Sequence, residues 1–303
     1  MEENLWAEKA FRDFGITPDL FYLIPGFNNQ DRYNYLVNNN PNVGLMMACM
    51  RGIVPLIHYF INRGANEFDY AIVDAAAGGH LEVIKFLLSK GARNQKMAMA
   101  VAARNGHIEI VKFFLSIGII GYNISMENAA RGGYLEIVGL MLERGADNYN
   151  RAMAKAAEGG HLAIVILMLQ KGANNYNEAM SFAAAHGHID IVKLMLQLGA
   201  NNYNEVMEIA AKKGYIEIVN LMVHSGANNY QKALEAAAGG GYVELVGLLI
   251  RYGADPRIIL NYPNMYSPVV ISTINQVLQS SYGKKRNRDN DVEMEDQNKY
   301  SRY

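Results

Sequence analysis

The sequence predicts an all-α protein, a curved α-solenoid of stacked antiparallel helix pairs. Three observations predict it. Glycine recurs at Gly64, Gly91, Gly118, Gly145, Gly172, Gly199, Gly226 and Gly253, and again at Gly52, Gly79, Gly106, Gly133, Gly160, Gly187, Gly214 and Gly241. Both series keep a spacing of 27 residues without an insertion. Between the glycines, apolar residues return at helical spacing. Each unit is also too short to bury its own apolar faces, so stability requires neighbours stacked on either side.

The elements follow in chain order. Residues 1–36 are expected to form an N-terminal helical cap. Its helix runs from Asn4 to Phe14 and is ended by Gly15, with Trp6, Phe11 and Phe14 placed to cover the first unit. The following segment, Pro18–Leu36, is aromatic and loop-like. Residues 37–252 hold eight repeats of 27 residues. Residues 253–281 form a C-terminal cap, with a helix from about Pro268 to Ser281. Residues 282–303 segregate basic Lys284, Lys285, Arg286 and Arg288 from acidic Asp289, Asp291, Glu293, Glu295 and Asp296, and read as a disordered tail.

Residues 177–198 stand for every repeat. Met180, Ala183 and Ala184 fall on one face of a first helix, and Glu178, Ser181, Phe182 and Ala185 on the other. Asn177 is placed as its N-cap and Gly187 as its stop. In the second helix Ile189, Ile191, Val192, Leu194, Met195 and Leu196 are apolar, while Asp190, Lys193 and Gln197 form a wet stripe. The acid at Asp190 recurs as Glu82, Glu109, Glu136, Glu217 and Glu244, where it favours the positive end of the helix dipole. Pro55 takes that position in the earliest repeat, tolerable in a first turn. Gly139 and Gly247 sit mid-helix on the stripe, each at a cost of ~1 kcal/mol relative to alanine. Paired alanines let first helices approach closely. The bulkier second helices stand further apart, and this difference curves the stack with the small side inside.

The wording "GHLEVIKFLLSKGA" at 79–92, "GHIEIVKFFLSIG" at 106–118 and Gly187–Leu196 followed by Gly199-Ala200-Asn201 resembles the second half of an ankyrin repeat. That family has repeats of roughly 33 residues and a T-P-L-H-x-A motif at the first helix. Here the motif is absent, and the shortfall lies between the Gly-Ala pair and the first helix. There the family builds its projecting β-hairpin, so tight "NNYN" turns with little or no β-structure are expected. The short period and this wording resemble the ankyrin proteins of giant DNA viruses that infect amoebae. That resemblance implies a host-directed adaptor.

Composition narrows the function. The chain has 303 residues, a net charge of −1, and half its residues apolar. Nothing in that balance points to nucleic acid or an anionic membrane. The single cysteine, Cys49, makes no internal disulfide and fits a reducing compartment. The start, MEENLW, lacks the basic and apolar regions of a signal peptide. The longest apolar runs, such as Ala163–Leu169, fall short of the ~20 residues that span a bilayer. A monomeric intracellular protein of the cytoplasm is expected, with Lys284–Arg288 as a basic cluster of the nuclear-import type.

Two ladders invite chemistry. His80, His107, His161 and His188 share one slot with Tyr134, Tyr215 and Tyr242. Units ~8–10 Å apart cannot converge on one ion, and tyrosine does not replace an imidazole ligand, so these are inter-helix turn residues. Tyr122, Tyr149, Tyr176, Tyr203 and Tyr230 are flanked by neutral asparagines rather than by the basic residues of a base-stacking surface. They read as plugs sealing each turn. With no phosphate loop and no nucleophile grouping, no enzymatic activity, cofactor, metal or small-molecule substrate is expected.

What changes from repeat to repeat is the outward side of the first helix. One slot reads Asp74, Val101, Asn128, Lys155, Phe182, Ile209, Ala236. Three residues on it reads Ala77, Arg104, Arg131, Glu158, Ala185, Lys212, Gly239. Four residues before it reads Tyr70, Met97, Ile124, Arg151, Glu178, Glu205, Lys232. This concave face is the candidate surface for another protein. Its residues are Arg104, Asn128, Arg131, Arg151, Lys155, Glu158, Glu178, Phe182, Glu205, Ile209 and Lys212, with Phe182 and Ile209 as an apolar centre between Lys155 and Lys212. Alternatives of other classes are a structural or assembly component of a virion and an enzyme-blocking inhibitor. Ile119 and Ile120, which replace Ala and Asn in one turn, are expected to pack inside.

Overall fold

In the computed structural model, which describes residues 2–22, 24, 30–33 and 40–279, the repeat becomes a pair of short helices. From Pro41–Arg51 and Val54–Asn62 to Tyr230–Gly240 and Val243–Arg251, a first helix of ten or eleven residues alternates with a second helix of nine. No strand occurs among the described residues. Among the described residues the pairs are joined by turns without a hairpin.

The chain forms two compact units, residues 1–156 with 166–172, and residues 157–165 with 173–303. The helices Tyr149–Gly159 and Leu162–Gln170 contribute to both. In the N-terminal unit the first helix Pro41–Arg51 packs on Phe68–Ala77, that helix on Gln95–Arg104, and that one on Tyr122–Gly132. In the C-terminal unit Tyr176–Ala185 packs on Tyr203–Lys213, which packs on Tyr230–Gly240. The approach is close because it runs over small side chains. Ala75, Ala76, Ala102, Ala103, Ala129, Ala130, Ala183, Ala184, Ala210 and Ala211 are completely buried. Beneath them the second helices supply Ile84, Leu87, Val111, Phe114, Val192, Met195, Val219 and Met222, also fully buried. Burying each large side chain contributes about 1.5–3 kcal/mol.

The two glycine series end the two helices of each pair. The first helix Tyr176–Ala185 stops where Gly187 turns to φ +80°. The ring of Tyr215, one repeat on, occupies the space that a Cβ on Gly187 would need, with its Cε1 2.9 Å away. His80 against Gly52, His107 against Gly79, Tyr134 against Gly106 and Tyr242 against Gly214 repeat the arrangement. The imidazoles add a hydrogen-bonding reach to the preceding repeat. Nε2 of His80, His107 and His188 lies 3.1, 3.0 and 3.2 Å from the carbonyls of Met50, Ala77 and Glu158. Histidine and tyrosine interchange because the slot needs a flat ring over glycine. Among the described residues no three His, Cys, Asp or Glu side chains come together as a metal would require.

The "NNYN" turn works differently from the expected N-cap. The cap position is Asn175, the helix starts at Tyr176, and Asn177 lies in its first turn. Asn177 points forward, where its Oδ1 accepts from the backbone N–H of Asn201 at 2.8 Å. Asn42 takes the N–H groups of Asn66 and Glu67, Asn123 those of Asp147 and Asn148, and Asn204 those of Asn228 and Asn229. Asp69 holds Arg93 and Gln231 holds Asp255 in the same way. These side chains link one turn to the next, a task that β-bridges perform between adjacent hairpins. Where the linking position is Lys96, which cannot accept, the next turn reads Gly118-Ile119-Ile120-Gly121. Ile119 is half-buried there, but Ile120 is 60 % exposed and does not pack inside.

At the N-terminus the helix Glu2–Phe14 packs on a second helix, Pro18–Tyr22, in a segment expected to be loop. Residues 30–33 are helical as well. Trp6 lies 5.3 Å from the Tyr33 ring, and Lys9 Nζ sits over both rings. Phe11 is exposed. Beyond the last pair, residues 268–279 are helical, with Val270 and Ile274 buried. Gly247 is buried rather than on a wet stripe, and a Cβ there would come within 3.8 Å of Val277 Cγ2. The charged tail 282–303, including Lys284–Arg288, lies outside the described residues.

Candidate partner-binding face

The outward side of a first helix is fixed by the alanines on its other side. In Tyr176–Ala185 burial of Ala179, Met180, Ala183 and Ala184 turns Glu178, Ser181 and Phe182 outward. In Tyr203–Lys213 burial of Val206, Met207, Ala210 and Ala211 does the same for Glu205, Ile209 and Lys212. Four of the expected residues, Glu178, Phe182, Glu205 and Ile209, come together as the walls of one groove of about 480 Å³ in the C-terminal unit. Ser181 and Asn202 complete its polar side.

Hydrogen bonds hold those polar groups. Ser181 Oγ donates to Glu205 Oε1 at 3.0 Å, and Asn202 Nδ2 donates to Ser181 Oγ at 2.8 Å and to Glu205 Oε2 at 3.2 Å. Asn175 Nδ2 donates to Glu178 Oε2 at 2.7 Å. Asn202 Oδ1 is buried and accepts no hydrogen bond. The groove differs from expectation in the sign of its rim. Its lining residues include two carboxylates and no basic side chain. Lys212 instead lines a second hollow of about 560 Å³ with Glu208, Lys232, Glu235 and Ala236.

The remaining expected residues do not line that groove. Arg104 is exposed on its helix, Arg131 and Lys155 are half-buried, and Asn128 turns its amide onto the Ile124 carbonyl. Arg151 pairs with Glu127 at 3.6 Å. Glu158 is only 8 % exposed, so it is not a surface acid.

An apolar row escaped the sequence reading. Val43, Tyr70, Met97 and Ile124 occupy one slot of four successive first helices in the N-terminal unit, each between 40 % and 61 % exposed. The shared hydrophobicity of this slot over these four repeats is the signal in the sequence. Asp74 lies one turn beyond Tyr70, half-buried, and burial raises its pKa. A second missed signal is Ile166, exposed where other second helices carry Lys85, Lys112 or Lys193.

Comparison with known proteins matches these helix pairs to one family. The family model described as ankyrin repeats (3 copies) matches residues 45–128 and again 126–206. No curated protein gives a significant match to the chain. Among the described residues no helix is long and apolar enough to cross a membrane. The matched stretches take in more than half of the sequence and coincide with the stacked helix pairs, and the chain therefore belongs to the ankyrin repeat family, whose members generally mediate protein–protein interaction.

Proposed function

We propose that the chain is a binding scaffold that holds a partner protein against the exposed side of its first helices. One observation carries this reading. Buried positions repeat almost unchanged, while the exposed first-helix positions change from repeat to repeat and still present apolar side chains. These are Val43, Tyr70, Met97 and Ile124 in one unit, and the Phe182–Ile209 groove in the other. Exposed apolar surface of this kind marks contact sites. Arg104, Asn128, Arg131, Arg151, Lys155 and Lys212 supply polar surroundings suited to a rim. A protein fits better than nucleic acid, because the asparagines beside the tyrosines are neutral and already engaged with the next turn.

Within this reading the chain acts as a monomeric adaptor in the cytoplasm of a host cell, without catalysis. The resemblance of its short repeat to giant-virus ankyrin proteins supports the host-directed part. Affinity capture from infected cells, with the full chain and with Phe182→Ala plus Ile209→Ala, tests both parts. Host proteins recovered by the full chain and lost with the substitutions are expected. Recovery of virion proteins instead would make the chain an assembly component. Unchanged recovery after both substitutions would overturn the assignment of the face.

A further inference from the structure

The groove at Phe182 and Ile209 has a chemistry of its own, apolar on one side and acidic on the other. Phe182 and Ile209 are half-buried side chains on neighbouring first helices, placed by the same register. Glu205 stands in the groove wall with only neutral donors on it, the Ser181 hydroxyl and the Asn202 amide. Those donors fix the direction of the carboxylate and leave its charge uncompensated. Glu178 is the second carboxylate of the lining, and the unpartnered Asn202 Oδ1 adds a further partial negative charge. Glu205 is therefore a carboxylate with neutral donors beside an apolar floor.

Spacing and charge select the occupant. A volume of about 480 Å³ lies within the range of pockets that hold small ligands, ~300–1,000 Å³, and so admits one or two side chains. An extended segment presents residues i and i+2 on one side, about 6.6 Å apart. One of the two side chains must be apolar to meet Ile209 and Phe182, and the other must bring positive charge to Glu205. Arginine suits the second role better than lysine, because a planar guanidinium can fork onto a carboxylate and lie flat on an aromatic ring.

We infer that this groove receives an extended segment of the partner protein in which an arginine lies within two residues of a large apolar side chain. The inference rests on the partner-binding reading of the first-helix face and narrows it to a class of sequence. The complementary charge argues for this occupant. An acidic segment would meet the Glu205 carboxylate, and a purely apolar one would desolvate it without returning a donor.

A random twelve-residue peptide display library panned on the full-length chain tests it. Enriched peptides are then synthesised and titrated by fluorescence anisotropy. Enrichment of arginine within two residues of Leu, Met, Ile or Phe is expected. Affinity is expected to fall about tenfold with Glu205→Gln, which removes the charge and keeps one oxygen acceptor for Ser181 or Asn202, and to fall when the peptide arginine becomes citrulline. Glu235→Gln, on the other hollow, leaves it unchanged. Circular dichroism melts of each variant keep folding separate from binding. Peptides without a basic residue that need Phe182 but ignore Glu205→Gln would overturn the inference and leave the scaffold reading standing. Failure to recover any peptide whose binding depends on Phe182 would overturn both.

Discussion

At the scale of single residues, placement decides whether a polar group works for or against the fold. Asp74 is half-buried on the outward side of its helix, and burial raises its pKa above the ordinary carboxylate value. The native state thus binds this proton more tightly than the unfolded chain does. The ionised carboxylate costs stability at neutral pH, and the cost is relieved as pH falls through the raised pKa. Asp74→Asn is expected to stabilise the protein at pH 7. The advantage should shrink on acidification and vanish below about pH 4, where the unfolded aspartate is protonated too. Urea midpoints measured between pH 7 and 4 check this, and a constant advantage would contradict it. Cys49 lies close by, fully buried, with its thiol pKa pushed up to about 12 by burial and by the charge of Asp74. Residue-scale facts of this kind were only partly legible in the sequence. Phe182 and Ile209 could be singled out because an internal repeat is its own alignment, and slots that vary stand out. The burial of Glu158 and the acidic rim of the groove could not, because each depends on side chains one repeat away.

At the scale of an element, the helix pair was legible and its joints were not. Glycine stops, alanine faces and the apolar stripe of each second helix follow from local periodicity, which folding preserves. The forward reach of Asn42, Asn123, Asn177 and Asn204 spans 24 or 25 residues, and no local pattern reveals it. Asn177 looked like an N-cap because asparagine before a helix commonly is one. In the structure the helix begins two residues earlier than that cap implies, with Asn175 at the cap position, and the Asn177 side chain reaches the next turn. Asn204→Ala removes an acceptor from two backbone N–H groups at 2.8 and 2.9 Å. A loss of about 1–2 kcal/mol is expected in urea denaturation, larger than for a typical surface change. A loss below a few tenths would mean that water replaces the asparagine without penalty.

At the scale of the whole molecule, each helix pair leans on its neighbours and little else. Stability is then close to a sum of local contributions, and all-or-none unfolding is not expected at this length. Trp6 is the only tryptophan and reports on the N-terminal unit through its contact with Tyr33, whereas circular dichroism reports every helix. Thermal midpoints from tryptophan fluorescence and far-ultraviolet dichroism are expected to differ. The calorimetric enthalpy should also exceed the van't Hoff value. Coincident midpoints with equal enthalpies would show a cooperativity that nearest-neighbour packing does not supply.

The forward-reaching asparagines carry a consequence for how such a chain can be edited. Since most turns offer equivalent backbone groups to an accepting side chain at one fixed position, one full period can be cut out and the ends rejoined in register. Excision of residues 203–229 would splice Asn202 to Tyr230, leaving Asn177 with the turn it already holds. Lys232 would then stand where Glu205 stood, and Ala236 where Ile209 stood. A single recombination between repeated stretches of coding sequence would thus keep the architecture while exchanging one of the two carboxylates of that groove for a lysine and its isoleucine for an alanine.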